Sequence, residues 1–142
     1  MEAYFASKEL VLEYNKEHQS LISIWATDND LNDKTYRTLI KKYIEAIHYF
    51  KPVGLMIDAL NAKYAVPVET QDWINEQVLP LYEKYQTRYF SIVLSKDFVT
   101  QVSLDQIIDD ATDPHSEVHL KYFEDRQTAC DWLYTETKVV QH

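Results

Sequence analysis

Apolar residues recur along the chain in two spacings, one typical of strands and the other of helices. The strand-like segments are 8–14, 20–27, 53–60, 88–95 and 118–123. In SLISIWAT (20–27) both alternating sets of residues are largely apolar, and VGLMIDAL (53–60) is apolar almost throughout. Strands of this kind are typical of the centre of a sheet that is covered on both faces.

Helical spacing appears in the segments between these strands. Apolar residues at positions 36, 39, 40, 43, 44 and 47 form one stripe of a helix. Asn32 or Asp33 can cap its start, and Pro52 stops it. A second helix is predicted over 69–85, where apolar residues again recur three and four positions apart.

Two more helices are predicted towards the end of the chain. Segment 103–110 begins with Ser103 and has Gln106 three positions later, which is the spacing of a capping box. Asp125 is expected to cap the last helix.

The predicted order of elements is ββαβαβαβα, which indicates an α/β fold with one sheet. Apolar strands that alternate with helices imply a mostly parallel sheet with right-handed crossovers and helices packed on it. The first strand, 8–14, is expected to be antiparallel and to lie at the edge. Because an edge strand exposes unpaired backbone groups, it invites pairing with a second copy, so a homodimer is one expected arrangement.

The composition excludes several classes of function. The length of 142 residues fits one domain over 1–142, with its core at about 8–135. A formal net charge of −9 repels phosphate backbones and anionic lipid heads, so nucleic acid is not an expected partner. No apolar run approaches the roughly 18 residues of a membrane span. The N-terminal stretch lacks a secretory pattern, and a lone cysteine fits a reducing compartment, so we expect a cytoplasmic protein.

Glycine is the rarest residue type, since Gly54 is the only one in the chain. Glycine-rich phosphate-binding loops need backbone without a Cβ close to the phosphates. The common nucleotide-binding motifs are therefore missing from the sequence, and we expect no cofactor.

Asp58 is the first candidate for chemistry, because it ends the buried segment 53–58. Asp28, Asp30 and Asp97 also follow predicted strands, and ligands of open α/β sheets bind outside the carboxyl ends of strands. Gathered carboxylates could hold Mg²⁺, which would make Asp58 a phospho-acceptor. A receiver domain also needs a Lys after its last strand, and none is found there. The alternative, a strand end or helix cap, explains Asp58 better.

The loop after Asp58 is the second candidate, because it is longer than a typical connection of about 2–6 residues. Long loops often carry function. We predict binding through Asp58, Asn61, Tyr64 and Thr70, with Trp73 at the base of the site. A packed surface loop without a function is the alternative.

Histidine and cysteine give no catalytic or metal site. His115 and His119 flank the start of a strand, where residues four apart lie about 13 Å from each other, too far to share one Zn²⁺. Cys130 has no histidine near it in sequence that could activate it. We therefore expect no enzyme activity and no metal.

Aromatic residues are numerous, with 11 tyrosines and 3 tryptophans. Most of them fall on the apolar stripes and are interpreted as core. The alternative is an aromatic-lined cavity between sheet and helices that holds a small apolar ligand.

Two stretches resemble a known superfamily. The strand LMIDAL with its loop, and the ending KYFEDRQTACDWL, are similar to SpoIIAA-like or STAS domains, which are small bacterial α/β domains related in fold to lipid-binding CRAL-TRIO domains. The resemblance covers about residues 8–135 and implies a binding or regulatory module. One branch of that family carries a phosphorylatable Ser after the strand-end Asp. Here the loop after Asp58 contains no Ser, and Thr70 stands beside the helix start instead.

Three hypotheses follow from the sequence. The first is a non-enzymatic regulatory module that engages a protein partner through the loop 58–70 and the following helix. The second is a small-molecule or lipid carrier with an apolar pocket. The third is a Mg²⁺-dependent phospho-acceptor domain at Asp58.

Overall fold

The computed structural model describes residues 1–111 and 117–138, apart from the side chains of residues 110 and 111, so His115 lies outside the described residues. The elements are β1 (Glu2–Ala6), β2 (Leu10–Asn15), β3 (Ser20–Trp25), α1 (Asp33–Phe50), β4 (Gly54–Asp58), α2 (Val68–Tyr85), β5 (Tyr89–Val93), α3 (Phe98–Ala111), β6 (His119–Phe123) and α4 (Arg126–Lys138).

All six described strands form one sheet in the order β1-β2-β3-β4-β5-β6. β1, β2 and β3 are antiparallel neighbours, and β3, β4, β5 and β6 run parallel. The fold is α/β with a mixed sheet, which confirms the predicted class.

The edge of the sheet differs from the prediction. Glu2–Ala6 forms an additional strand that pairs with β2, so the order is βββαβαβαβα and β2 lies inside the sheet. The strand at this edge of the sheet is therefore β1 instead of 8–14, and the homodimer stays a prediction. A five-residue strand with a register shift between Ala3 and Phe5 carries too short an alternation to be recognised from sequence. The Tyr4 hydroxyl anchors it by donating to a Glu45 carboxylate oxygen over 2.7 Å.

Two of the three predicted helix caps are confirmed. The Asn32 side chain accepts from the Lys34 amide at 2.7 Å, and Asp125 accepts from the Thr128 amide at 2.8 Å. The capping box predicted at Ser103 and Gln106 is wrong, because α3 begins five residues earlier. Asp97 caps that helix by accepting from the Thr100 amide at 2.9 Å.

The helices divide between the two faces of the sheet. Side chains of α1 and α2 share one buried cluster with alternate residues of the central strands, such as Leu21 and Leu55, and Leu104 and Ile107 of α3 pack against it. α4 covers the other face, where Leu133 packs with the intervening residues Ile22 and Met56. No helix within the described residues has both the length and the apolar character needed to cross a membrane.

Candidate functional site

A cavity of about 720 Å³ lies between the sheet and the three helices α1, α2 and α3. Every strand of the parallel part contributes to its floor, and each of the three helices contributes to its roof. The principal apolar lining residues are Trp25, Ile40, Ile57, Ile74, Val78, Phe90, Ile92, Leu104, Ile107 and Leu120. Most of these side chains are buried, so they surround the cavity as part of the core.

The cavity exists because α2 and α3 stand away from the sheet. α2 packs closely against α1 and α3, whereas in the described part of the chain neither α2 nor α3 approaches a strand as closely as α4 does. Aromatic side chains bridge part of this separation. Phe90 of β5 meets Tyr82 of α2 edge to face, with ring centroids 5.0 Å apart. Large rings on both sides hold the two layers apart and leave space between them.

Four tyrosines belong to the lining: Tyr36, Tyr43, Tyr64 and Tyr82. The hydroxyls of Tyr43 and Tyr82 are hydrogen-bonded to each other at 3.1 Å. Burial raises the pKa of Tyr82 to about 12, and burial together with the Tyr43–Tyr82 interaction raises the pKa of Tyr43 well above its ordinary value. Both hydroxyls are therefore uncharged at neutral pH, which keeps the lining free of phenolate charge.

The β4–α2 loop closes the cavity at the carboxyl ends of the strands. Its residues Ala59, Ala62 and Tyr64 belong to the lining. The loop is tied to its neighbours, since the Lys63 amide donates to the Thr27 carbonyl at 2.7 Å and the Ser95 hydroxyl donates to the Ala62 carbonyl at 2.7 Å. A loop anchored in this way forms a fixed wall.

Three of the predicted binding residues meet around Asp33 at the start of α1. The hydroxyls of Tyr64 and Thr70 each donate to an Asp33 carboxylate oxygen over 2.7 Å. Arg37 donates to the same carboxylate at 3.0 Å and to the Thr70 hydroxyl at 2.9 Å, and its guanidinium lies 5.0 Å from the centre of the Trp73 ring. We call Asp33, Arg37, Tyr64, Thr70 and Trp73 the α1–α2 clasp.

The electrostatics of the clasp favour an ionised Asp33. Partial burial alone would raise its pKa, but hydrogen bonds from Tyr64, Thr70 and Arg37, together with the charge of Arg37, outweigh burial and lower the pKa. Thr70 is fully buried within the clasp. These side chains therefore hold the loop and α2 against α1, and the hydroxyls of Tyr64 and Thr70 already have partners within the protein.

Asp58 lies apart from these residues, on the α4 side of the sheet. It is only 3% exposed. One carboxylate oxygen accepts from Arg126 at 2.7 Å and the other accepts from the Leu60 amide at 3.1 Å. Asp58 thus joins the end of β4 to the start of α4.

Asn61, the remaining predicted binding residue, is exposed on the outer side of the β4–α2 loop. The five predicted residues therefore fall into three places: the clasp, the α4 side and the surface. Whether any of them contacts a partner stays a prediction.

The carboxylates that follow the strands do not gather at a metal site. Asp28 pairs with Lys8 at 3.2 Å, Asp58 pairs with Arg126, and Asp97 caps α3. Within residues 1–111 and 117–138, no group of three or more His, Cys, Asp or Glu side chains is arranged to hold a metal ion.

Polar lining residues were not predicted as site residues from the sequence. Asn75 belongs to the cavity wall, and Glu83, Arg88 and Glu117 are the ionisable lining residues other than tyrosine among those described. For Asn75 a signal was present, because it stands four positions after Gln71 on a stripe of α2 that is otherwise apolar. Two amide side chains four positions apart on an apolar stripe, such as Gln71 and Asn75, indicate a polar patch within the core.

No protein-family model matches this chain, and no curated protein and no solved structure matches it either. The resemblance to SpoIIAA-like domains therefore stays a prediction.

Proposed function

We propose that this protein binds an apolar small molecule in the cavity between the sheet and helices α1–α3. The observation that carries the proposal is the cavity itself, about 720 Å³ in volume and lined mainly by buried aliphatic and aromatic side chains. Small-molecule sites typically measure about 300–1,000 Å³ and combine an apolar lining with a few polar groups. A non-enzymatic carrier or ligand-dependent regulator fits this description.

The apolar lining supports an occupant. The cavity is partly open to solvent, and water inside it meets few hydrogen-bond partners along the aliphatic and aromatic walls. An apolar ligand that displaces this water removes apolar surface from contact with it and gains dispersion contacts with the lining.

A neutral dye that fluoresces in apolar surroundings, Nile red, tests the proposal. We expect saturable binding of one dye molecule per chain. The variant Val78→Phe places a larger side chain in the cavity and should weaken binding at least tenfold. Val68→Phe makes the same change on the same helix at a residue that is 65% exposed and is not part of the lining. It should bind like the wild type.

Two outcomes would contradict the proposal. Absence of saturable dye binding by the folded wild-type chain is the first. The second is equal binding by the wild type and both variants, which would place the dye on the surface.

The β4–α2 loop supports a second candidate, a protein partner that binds its outer side, as a SpoIIAA-like module would. The observation in its favour is that the exposed Val68 follows the exposed Asn61 and Lys63 along this segment. Asn61→Ala should weaken partner capture with little change in stability, and unchanged capture would count against this candidate. Thr70 is a poor probe, because its hydroxyl is committed to the clasp. Phospho-acceptor chemistry at Asp58 has no comparable support, since both of its oxygens have protein partners.

A further inference from the structure

β6 forms the edge of the sheet opposite β1, and within the described residues it has a strand neighbour on one side only. The His119 amide donates to the Arg88 carbonyl at 2.7 Å, so the backbone of His119 faces β5. Because successive residues of a strand turn their backbone groups to opposite sides, the N–H and C=O groups of Leu120 and Tyr122 face away from β5. This outer side of β6 therefore presents the hydrogen-bonding groups that an added strand needs.

The two edges of the sheet differ in regularity. β1 has a register shift between Ala3 and Phe5, and irregularities of this kind protect an edge from pairing. β6 pairs with β5 in an unbroken register from His119 to Phe123. The outer side of β6 is therefore the more regular template for another strand.

Exposed apolar side chains lie beside the outer side of β6. Phe98 and Val102, four positions apart on one face of α3, are 80% and 40% exposed, and Tyr122 of β6 is 38% exposed. Asp105 and Asp109 continue the same face of α3. Burial raises the pKa of Tyr122 and the negative charges of Asp105 and Asp109 raise it further, so this face of α3 lies beside Tyr122. We call Phe98, Val102, Asp105, Asp109 and Tyr122 the β6 flank.

The charges around the β6 flank determine which partner fits. Asp105 and Asp109 belong to it, and the exposed Glu117 and Glu124 stand at the two ends of β6. Lys121 projects to the opposite face of the sheet, because side chains alternate along a strand. A second copy paired along β6 would bring two such sets of carboxylates into one interface, whereas basic side chains of another protein would neutralise them.

We infer that the outer side of β6 binds an extended peptide segment of a partner protein, which adds a strand to the sheet and directs basic and apolar side chains towards the β6 flank. Backbone hydrogen bonds supply affinity in this mode of recognition, and alternate side chains supply specificity. The apolar side chains of the peptide cover Phe98 and Val102, and its basic side chains meet Asp105 and Asp109. The alternate side chains lie beside Lys121 and are expected to be uncharged. No residue of the β6 flank lines the cavity, so the inference does not depend on the proposed function.

Three fluorescein-labelled peptides of about nine residues, the length of a long strand, test the inference at physiological salt. The first has Thr at alternate positions and Lys or Val at the others. The second replaces each Lys by Glu, and the third keeps the first sequence but has N-methylated backbone amides. Fluorescence anisotropy should show saturable binding of the first peptide. The other two should bind about tenfold more weakly, because the second loses the charge match and the third loses the backbone hydrogen bonds.

Three variants locate the bound peptide on the protein. Val102→Lys puts a positive charge on the β6 flank and should weaken binding of the first peptide about tenfold. Val68→Lys makes the same change at a residue of α2 that is 65% exposed, and it should leave binding unchanged. Tyr122→Pro removes one outward N–H group and leaves the bonds to β5 in place, so it should also weaken binding about tenfold.

Absence of saturable binding, or equal binding of the three peptides by the wild type, would overturn the inference. Binding that is weakened by Val68→Lys and not by Val102→Lys would place the peptide on the β4–α2 loop and overturn it as well. A wild-type dimer that dissociates in folded Tyr122→Pro, measured by light scattering, would assign this edge to a second copy instead. If Tyr122→Pro fails to fold, Val102→Lys and its control decide.

Discussion

The two faces of the sheet are both covered by helices but are packed in opposite ways. On the α4 face, the helix lies so close to the strands that a Cβ on Gly54 would come within 2.9 Å of a Leu133 methyl carbon of α4. The same Cβ would lie 2.7 Å from the Ser20 hydroxyl oxygen of β3. On the opposite face, α2 and α3 stand off and enclose about 720 Å³. We call the α4 side the dense face and the α1–α3 side the hollow face. One sheet can thus combine a tightly packed face, which supplies stability, with a face that leaves space for a binding site.

The only glycine of the chain belongs to the dense face. Gly54 has an ordinary backbone conformation, so no left-handed turn requires a glycine there. It is explained by the close approach of Leu133 and Thr137 of α4. Asp58 and Arg126 fasten the same helix at the carboxyl end of β4.

The largest expected effect comes from removing the central side chain of the dense face. Leu133→Ala should lower the free energy of unfolding by about 2–5 kcal/mol, since the surrounding residues leave a cavity behind. The matched variant Ile74→Ala, on the hollow face, should cost less, because its side chain already borders free space. Urea denaturation of both variants measures the two losses in free energy of unfolding. Equal losses would contradict the difference in packing between the two faces.

Gly54→Ala should be the next most damaging change. The added Cβ must displace Leu133, which is fully buried, and the Ser20 hydroxyl, which donates to the His18 carbonyl. Overpacking of this kind costs about 1–3 kcal/mol. A midpoint of urea unfolding unchanged from that of the wild type would show that α4 has room to move.

One identical substitution on each face sharpens the comparison. Val93→Ile adds a methylene to the dense core and should destabilise by about 1–3 kcal/mol. Val78→Ile adds the same group beside the cavity and should be neutral or stabilise by up to about 0.8 kcal/mol. Thermal unfolding of the pair measures this, and the reverse order of stability would contradict the assignment of the cavity.

The smallest effect concerns the α1–α2 clasp and depends on pH. Asp33 has a pKa below its ordinary value of 3.8 in the folded protein, so its contribution to stability is fully present above that value. The contribution is lost as the pH falls through the lower folded pKa. Because Asp33 is about one-third exposed, we expect about 1 kcal/mol or less.

Comparison of the wild type with Asp33→Asn isolates this contribution. The stability gap between the two proteins should be constant above about pH 4 and shrink below it. The cap residues Asp97 and Asp125, whose pKa values are also lowered, titrate in both proteins and cancel. A difference in stability that stays constant down to acid pH would show that ionised Asp33 does not stabilise the folded protein.

Much of the fold could be predicted from local pattern. The central strands, the stripe of α1 and the caps at Asn32 and Asp125 depend on residues close together in sequence, and each was recognised. β1 was missed because five residues with a register shift give little alternation, and its place depends on pairing with β2. The start of α3 was misplaced because Asp97 and Ser103 both offer a capping side chain, and only tertiary contact shows that Ser103 bonds to Val66 instead.

The site was less predictable than the fold. The helical spacing of apolar residues shows that Tyr36, Tyr43 and Val78 are buried. The same spacing is found whether such residues pack in a filled core or line a cavity. The distance between α2 and the sheet is set by the whole set of facing side chains, which no single segment encodes. The sequence predicts the clasp only in part, since the local pattern presents Asp33 as a possible helix cap and its bonds to Tyr64 and Thr70 span more than thirty residues.

The most direct test of the account uses tryptophans that mark the two faces. Trp25 lines the cavity, whereas Trp132 packs against Phe123 on the α4 face. In a Trp73→Phe background, which leaves one tryptophan on each face, titration with a brominated neutral apolar molecule should quench tryptophan fluorescence. The quenching should persist when Trp132→Phe is added and should largely disappear when Trp25→Phe is added instead. Quenching that survives in Trp25→Phe and disappears in Trp132→Phe would place the ligand on the dense face and contradict the account.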